Sequence, residues 1–165
     1  MDHNEDRALR KQLVEFLRGG SAHAELKTVL DGFPADKRGA KPKGAAHTAW
    51  QLLEHIRIAL HDLYDFSTNP KYVQPEWPAE YWPKDEGPPS DAAWEESVRA
   101  VKKDMADFEQ LIGEPQTNLY GSIPWGEGQT ILREVLLAGQ HTSYHVGQLV
   151  SLRRELGAWK GSSAG

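Results

Sequence analysis

His141-Thr-Ser-Tyr-His145 places two imidazoles four residues apart. On a helix that spacing stacks the side chains on one face, about a turn apart. The same face continues through Leu132, Val135, Ala138, His141, His145, Leu149, Leu152 and Leu156, an apolar stripe at helical spacing. Two imidazoles therefore point toward the interior of a helical protein. Buried polar groups need partners. A metal ion is the partner that best explains two in register, because imidazole nitrogen binds zinc and related ions at about 2.0–2.1 Å. Two core histidines, each satisfied by ordinary hydrogen bonds, are the competing reading of the same spacing.

Catalytic metal sites commonly take three protein ligands and leave one position open, so a third ligand must come from another helix. His55, in Leu52-Leu53-Glu54-His55-Ile56, is the best placed, with Leu52 and Ala59 as its neighbours on a buried helix face. His61 lies about 240° around the same helix and belongs on its exposed side. His47 precedes that helix, His3 sits at the terminus, and His23 could approach a site at the end of the bundle. Carboxylates that could serve as a general base are Glu54, which points about 100° away from His55, and Asp62, Asp104 and Glu134, which read as solvated helix residues. Gln148 is placed to support His145 from about one turn on, and Tyr144 reads as packing beside the pair. Trp77, Tyr81, Trp82 and Trp125 either line a pocket over the site or pack their loops onto the bundle.

The elements that must hold these residues follow from periodicity and punctuation. A helix is expected over about 5–18, ended by Gly19-Gly20, with a second apolar stretch (Leu26, Val29, Leu30, Phe33) capped by Ser21. Thr48-Ala-Trp-Gln51 has capping-box spacing and opens a helix to about 67. The next 23 residues or so hold Pro70, Pro75, Pro78, Pro83, Pro88 and Pro89, too much proline for a helix. Their aromatics predict an ordered crossover covering a functional face. Ser90 or Asp91 caps a helix to about 112, with Trp94, Val98, Val101, Met105, Phe108 and Leu111 inward. A short β-like pair is expected at 119–120 and 123–124, before a last helix from Thr130 to about 156. The expected fold is all-α: a four-helix bundle with a long crossover between the second and third main helices, spanning residues 1–160 and followed by a disordered tail at 161–165.

Composition narrows the chemistry. The 165 residues carry a net charge of −5 and no cysteine. A negative chain without a basic stripe argues against nucleic acid or an anionic membrane as partner. Without cysteine there is no disulfide, thiol nucleophile or thiolate-bound metal. No apolar run reaches the roughly 18 residues of a membrane span, and the acidic Met-Asp-His-Asn-Glu-Asp start does not read as a signal peptide, so a cytoplasmic protein is expected.

Thr48-Ala-Trp-Gln-Leu-Leu-Glu-His55 and the segment from Gly128 through His141-Thr-Ser-Tyr-His145-Val-Gly-Gln-Leu149 closely resemble the DinB-like superfamily of bacterial four-helix bundles, described as metal-dependent hydrolases. The resemblance covers nearly the whole chain. It implies that His55, His141 and His145 hold a divalent metal (Zn, Ni, Fe or Mn), that the chain forms a homodimer, and that its chemistry is hydrolysis or transfer of a low-molecular-weight thiol such as bacillithiol, mycothiol or glutathione. Many relatives carry an acid where this chain has Gln140, whose amide can hydrogen-bond but cannot orient a ligand by charge. The alternatives are a non-catalytic, stress-linked module binding a metal or small ligand, and a metal-free helical dimer with satisfied histidines. The homodimer expectation is checked by sedimentation at micromolar concentration, where a monomer alone would count against it.

Overall fold

The computed structural model describes residues 3–159, and the expected tail at 161–165 lies outside them. The described residues form five α-helices and no strand: α1 (His3–Arg18), α2 (Leu26–Leu30), α3 (Ala49–Thr68), α4 (Asp91–Gly113) and α5 (Ile131–Glu155). The four long helices make the bundle. α1 and α3 each pack against both α4 and α5, and the short α2 lies against α5. None of these helices is long and apolar enough to cross a membrane.

Local chemistry sets the helix starts. At α3 both halves of the capping box form: the Thr48 hydroxyl accepts from Gln51 N at 3.2 Å, and Gln51 Oε1 accepts from Thr48 N at 3.1 Å. Ser90 caps α4 by accepting from Ala93 N, and Thr130 caps α5 by accepting from Arg133 N. Ser21 caps nothing. Gly19 and Gly20 take φ of 73° and 87°, a turn closed by Gly20 N donating to His23 O at 3.0 Å. That turn consumes the residues after Gly20, so α2 starts only at Leu26 and is a separate helix.

The expected β pair is also replaced. Asn118 Oδ1 accepts from Tyr120 N and Gly121 N, which turns the chain back on itself before 119–120 can pair with 123–124. One isolated bridge, Ser122 to Thr130, forms instead.

The core gathers Leu53, Ile56 and Leu60 from α3, Trp94, Val101 and Phe108 from α4, and Val135, Val146 and Leu149 from α5. Met105 and Leu111 only flank it, whereas Ile112 is fully buried. Two expected surface acids are inside. Asp104 is buried against His61, its Oδ2 3.3 Å from Nδ1, and burial raises its pKa. Glu134 is buried and accepts from Arg133 Nη1 at 2.7 Å. Arg153, also buried, has no carboxylate ion-pair partner among the described residues. It donates to the carbonyls of Val29, Asp31, Gly32 and Ala158, tying α2 and the chain after α5 together.

The crossover, residues 69–90, is bound down along its length. At its far end Thr48 Oγ1 donates to Glu86 O at 2.6 Å. There the backbones touch: a Cβ on Gly39 would lie 2.9 Å from Gly87 Cα. Near its start and middle, Tyr72 and Tyr81 both donate to Asp62 of α3, at 2.7 and 2.6 Å. Asp62 is therefore an anchor for the crossover, not a solvated helix residue, because the crossover folds over the face it occupies.

Thr48 thus serves both α3 and the crossover. Thr48→Ala is expected to lower the unfolding free energy by about 1–2 kcal/mol, measured by urea denaturation, through loss of the cap and of the donor to Glu86 O.

Candidate metal centre

α3 supplies His55, and α5 supplies His141 and His145. Their ligand atoms lie within 4.8 Å of one another. His141 Nε2 is 2.9 Å from His55 Nε2 and 3.1 Å from His145 Nε2. His55 is 2 % exposed and His145 5 %, while His141 is half-buried.

The outer nitrogens decide where the lone pairs point. His55 Nδ1 is 2.8 Å from the Tyr81 carbonyl oxygen. A carbonyl can only accept, so Nδ1 carries the hydrogen and Nε2 turns a bare lone pair to the cluster. His145 Nδ1 sits 2.7 Å from Gln148 Oε1, with the same consequence. His141 Nε2 faces both lone pairs and has at most one hydrogen to share between them. Protonation does not relieve this. Burial pushes all three pKa values below the ordinary histidine range, His141 to about 4, with neighbouring imidazoles adding to the shift at His141.

Neutral imidazoles with converging Nε2 atoms are the donor set a divalent ion takes. Tetrahedral zinc with bonds of about 2.05 Å separates its nitrogens by about 3.3 Å, so the two observed spacings need to open by only a few tenths of an ångström. The three-histidine group could therefore hold a metal ion, with the fourth position unfilled by the group itself.

The crossover roofs the site. Trp82 lies flat on His55, ring centroids 3.8 Å apart at 6°, and its other face stacks on His47 at 4.0 Å and 18°. The sequence pointed to Trp82 as lid or packing; its place against His55, and the role of His47 behind it, depend on the fold. Tyr81 contributes its backbone carbonyl. Trp77 is exposed and packs edge-on against Tyr81, and Trp125 donates to Phe66 O at 2.7 Å, so neither reaches the cluster. Tyr144 is exposed and meets His145 edge-on at 5.0 Å. A cavity of about 480 Å³ lies next to Tyr144 and Gln148, walled also by His47, Leu52, Leu152 and Glu155, and none of the three clustered histidines lines it. Tyr144 and Gln148 belong both to that wall and to the surroundings of His145.

The remaining histidines stand apart. His61 is exposed as expected and pairs with Asp104. His23 Nε2 is 2.9 Å from Ser143 Oγ, and His3 is exposed at the start of α1. Gln140 is exposed too. None of the four considered carboxylates joins the cluster. Glu54 pairs with Arg57 through two bonds of 2.9 and 2.8 Å, and Asp62, Asp104 and Glu134 are engaged as described above.

The profile of the DinB superfamily matches residues 9–149, a span that contains all three histidines. The chain belongs to the DinB superfamily. No curated protein and no solved structure matches it. The helical bundle is consistent with that membership.

The depressed imidazole pKa values carry a stability signature. Between about pH 6.5 and about pH 4 the unfolded chain takes up protons that folded His141 refuses, so lowering the pH through that window favours unfolding. The chelator-treated protein is expected to lose thermal stability across it, and His141→Asn to flatten the dependence, as read by melting curves at several pH values.

Proposed function

We propose that His55, His141 and His145 bind one divalent metal ion and that the chain is a metal-dependent enzyme acting on a small molecule, with transfer of a low-molecular-weight thiol favoured over hydrolysis. The observation that carries the reading is the enforced tautomer of His55 and His145, which aims two lone pairs at His141 Nε2 with one hydrogen at most between them. An all-imidazole set suits Zn, Ni or Fe, and Mn is the remaining choice implied by resemblance. When bound, such an ion supplies a +2 charge with an open position, which lowers the pKa of water or of a thiol and polarises a carbonyl or phosphoryl oxygen.

The chain's own residues favour the thiol. Hydrolysis assisted by a carboxylate base calls for one near the reacting water, and Glu155 stands on the cavity wall outside the histidine group. Glu54, Asp62, Asp104 and Glu134 are each tied to another side chain and away from the cluster. A thiol held there loses its proton and bonds to the carbon of an electrophilic co-substrate, which releases its leaving group. The cavity is of a size for a small molecule, and Tyr144, His47 and Gln148 offer it neutral polar groups. The homodimer belongs to the same reading and rests on the family.

Elemental analysis of protein purified without a nickel column tests the centre. About one metal per chain is expected in the wild type, with loss in His55→Ala and His145→Ala while both stay helical by circular dichroism. Full occupancy retained in His145→Ala would sink the ligand assignment. Titration of the cobalt-loaded protein with glutathione then separates the chemistries. A sulfur-to-cobalt charge-transfer band supports thiol binding, and its absence moves the reading to hydrolysis or to a non-catalytic metal module.

A further inference from the structure

We propose that Asp62 is a positioning residue of the metal centre, acting through Tyr81, so that metal binding and seating of the 69–90 crossover on α3 are one linked equilibrium. The inference rests on the metal reading above and adds a residue and a coupling to it. Asp62 is two turns along α3 from His55, about 10 Å, on a similar face. It does not touch the cluster. Its carboxylate accepts from two phenols of the crossover, Tyr72 at 2.7 Å and Tyr81 at 2.6 Å. Burial and then the Asp62 carboxylate raise the pKa of both phenols, which therefore stay protonated donors.

Tyr81 and Trp82 carry that anchorage to His55. The Tyr81 carbonyl accepts from His55 Nδ1 at 2.8 Å. The next residue, Trp82, covers the His55 ring at 3.8 Å, backed by His47. One dipeptide thus sets the tautomer of His55 with its carbonyl and the ring plane with its indole, and the Tyr81 phenol fastens the dipeptide to the same helix that bears His55. When that fastening is lost, the carbonyl drifts from Nδ1. His55 is then free to place its hydrogen on Nε2, which removes a lone pair from the cluster. An ion that needs the lone pair binds the seated crossover more tightly than the loosened one, and by reciprocity it must hold the crossover down.

Tyr72, whose phenol also meets the Tyr81 phenol, provides the milder comparison. It donates to the same carboxylate, but its ring packs on Phe66, away from the histidines. Tyr72→Phe and Tyr81→Phe each delete one phenol from Asp62, and only Tyr81 holds His55.

The test is Zn²⁺ affinity by competition with a chromophoric chelator for wild type, Tyr72→Phe, Tyr81→Phe and Asp62→Asn, together with amide hydrogen exchange of residues 69–90 with and without Zn²⁺. Tyr81→Phe and Asp62→Asn are expected to bind about tenfold more weakly or worse and to alter the visible spectrum of the Co²⁺-loaded protein, while Tyr72→Phe stays within about threefold of wild type. Zn²⁺ is expected to slow exchange across the wild-type crossover. Equal affinities in Tyr81→Phe, Asp62→Asn and Tyr72→Phe, or crossover exchange indifferent to Zn²⁺, would overturn the coupling while leaving the metal centre standing. A wild type that binds no Zn²⁺ would overturn the metal reading, and the coupling with it.

Discussion

Three imidazole nitrogens meet inside the bundle, and the hydrogen bonds behind them aim more lone pairs inward than there are hydrogens to satisfy. That electrostatic constraint explains much of the surrounding structure. A carbonyl from the crossover and an amide oxygen from α5 occupy the outer nitrogens of His55 and His145, which leaves both inner nitrogens bare. Burial denies the rings the alternative of taking up protons. A small hydrophobic core would ordinarily avoid such an arrangement, since unsatisfied polar atoms cost free energy wherever water cannot reach them.

The other buried charges are handled differently, and the contrast is informative. Arg153 is satisfied by four backbone carbonyls, Glu134 by Arg133, and Asp104 by His61. Each has a protein partner, so each reads as architecture. At the histidine cluster the partners restrict the tautomer without completing the hydrogen bonding. That is the physical difference between these satisfied polar groups and a histidine group that could hold a metal ion.

The crossover is the second determinant. Rich in proline, it cannot contribute helix, yet it is held by Asp62, by Thr48 and by the close approach of Gly39 and Gly87. Held in that way, it presents a carbonyl and an indole to His55 with the regularity usually expected of secondary structure. His47, which stacks on Trp82, also lines the cavity together with Tyr144 and Gln148.

The helices and their caps at Thr48, Ser90 and Thr130 were legible in the sequence, because helical periodicity and capping are local, while the convergence of His55 with His141 and His145 was what the family resemblance implied. The turn that delays α2, the single bridge at Ser122 and the burial of Asp104 and Glu134 were not, because each depends on what packs or bonds nearby. The same holds at the site. Glu54 could be set aside from its angle on the helix alone, and Gln148 could be paired with His145 from its spacing. The role of Asp62 could not be read, because its partners lie 10 and 19 residues away in a segment without periodicity. Nor could the Tyr81 carbonyl, which belongs to the backbone and leaves no mark in residue type. The amino-acid sequence by itself determined which imidazoles share the interior. Only the tertiary structure decided which nitrogen of His55 and of His145 carries the hydrogen, because a tautomer is set by the hydrogen bond on the far side of the ring.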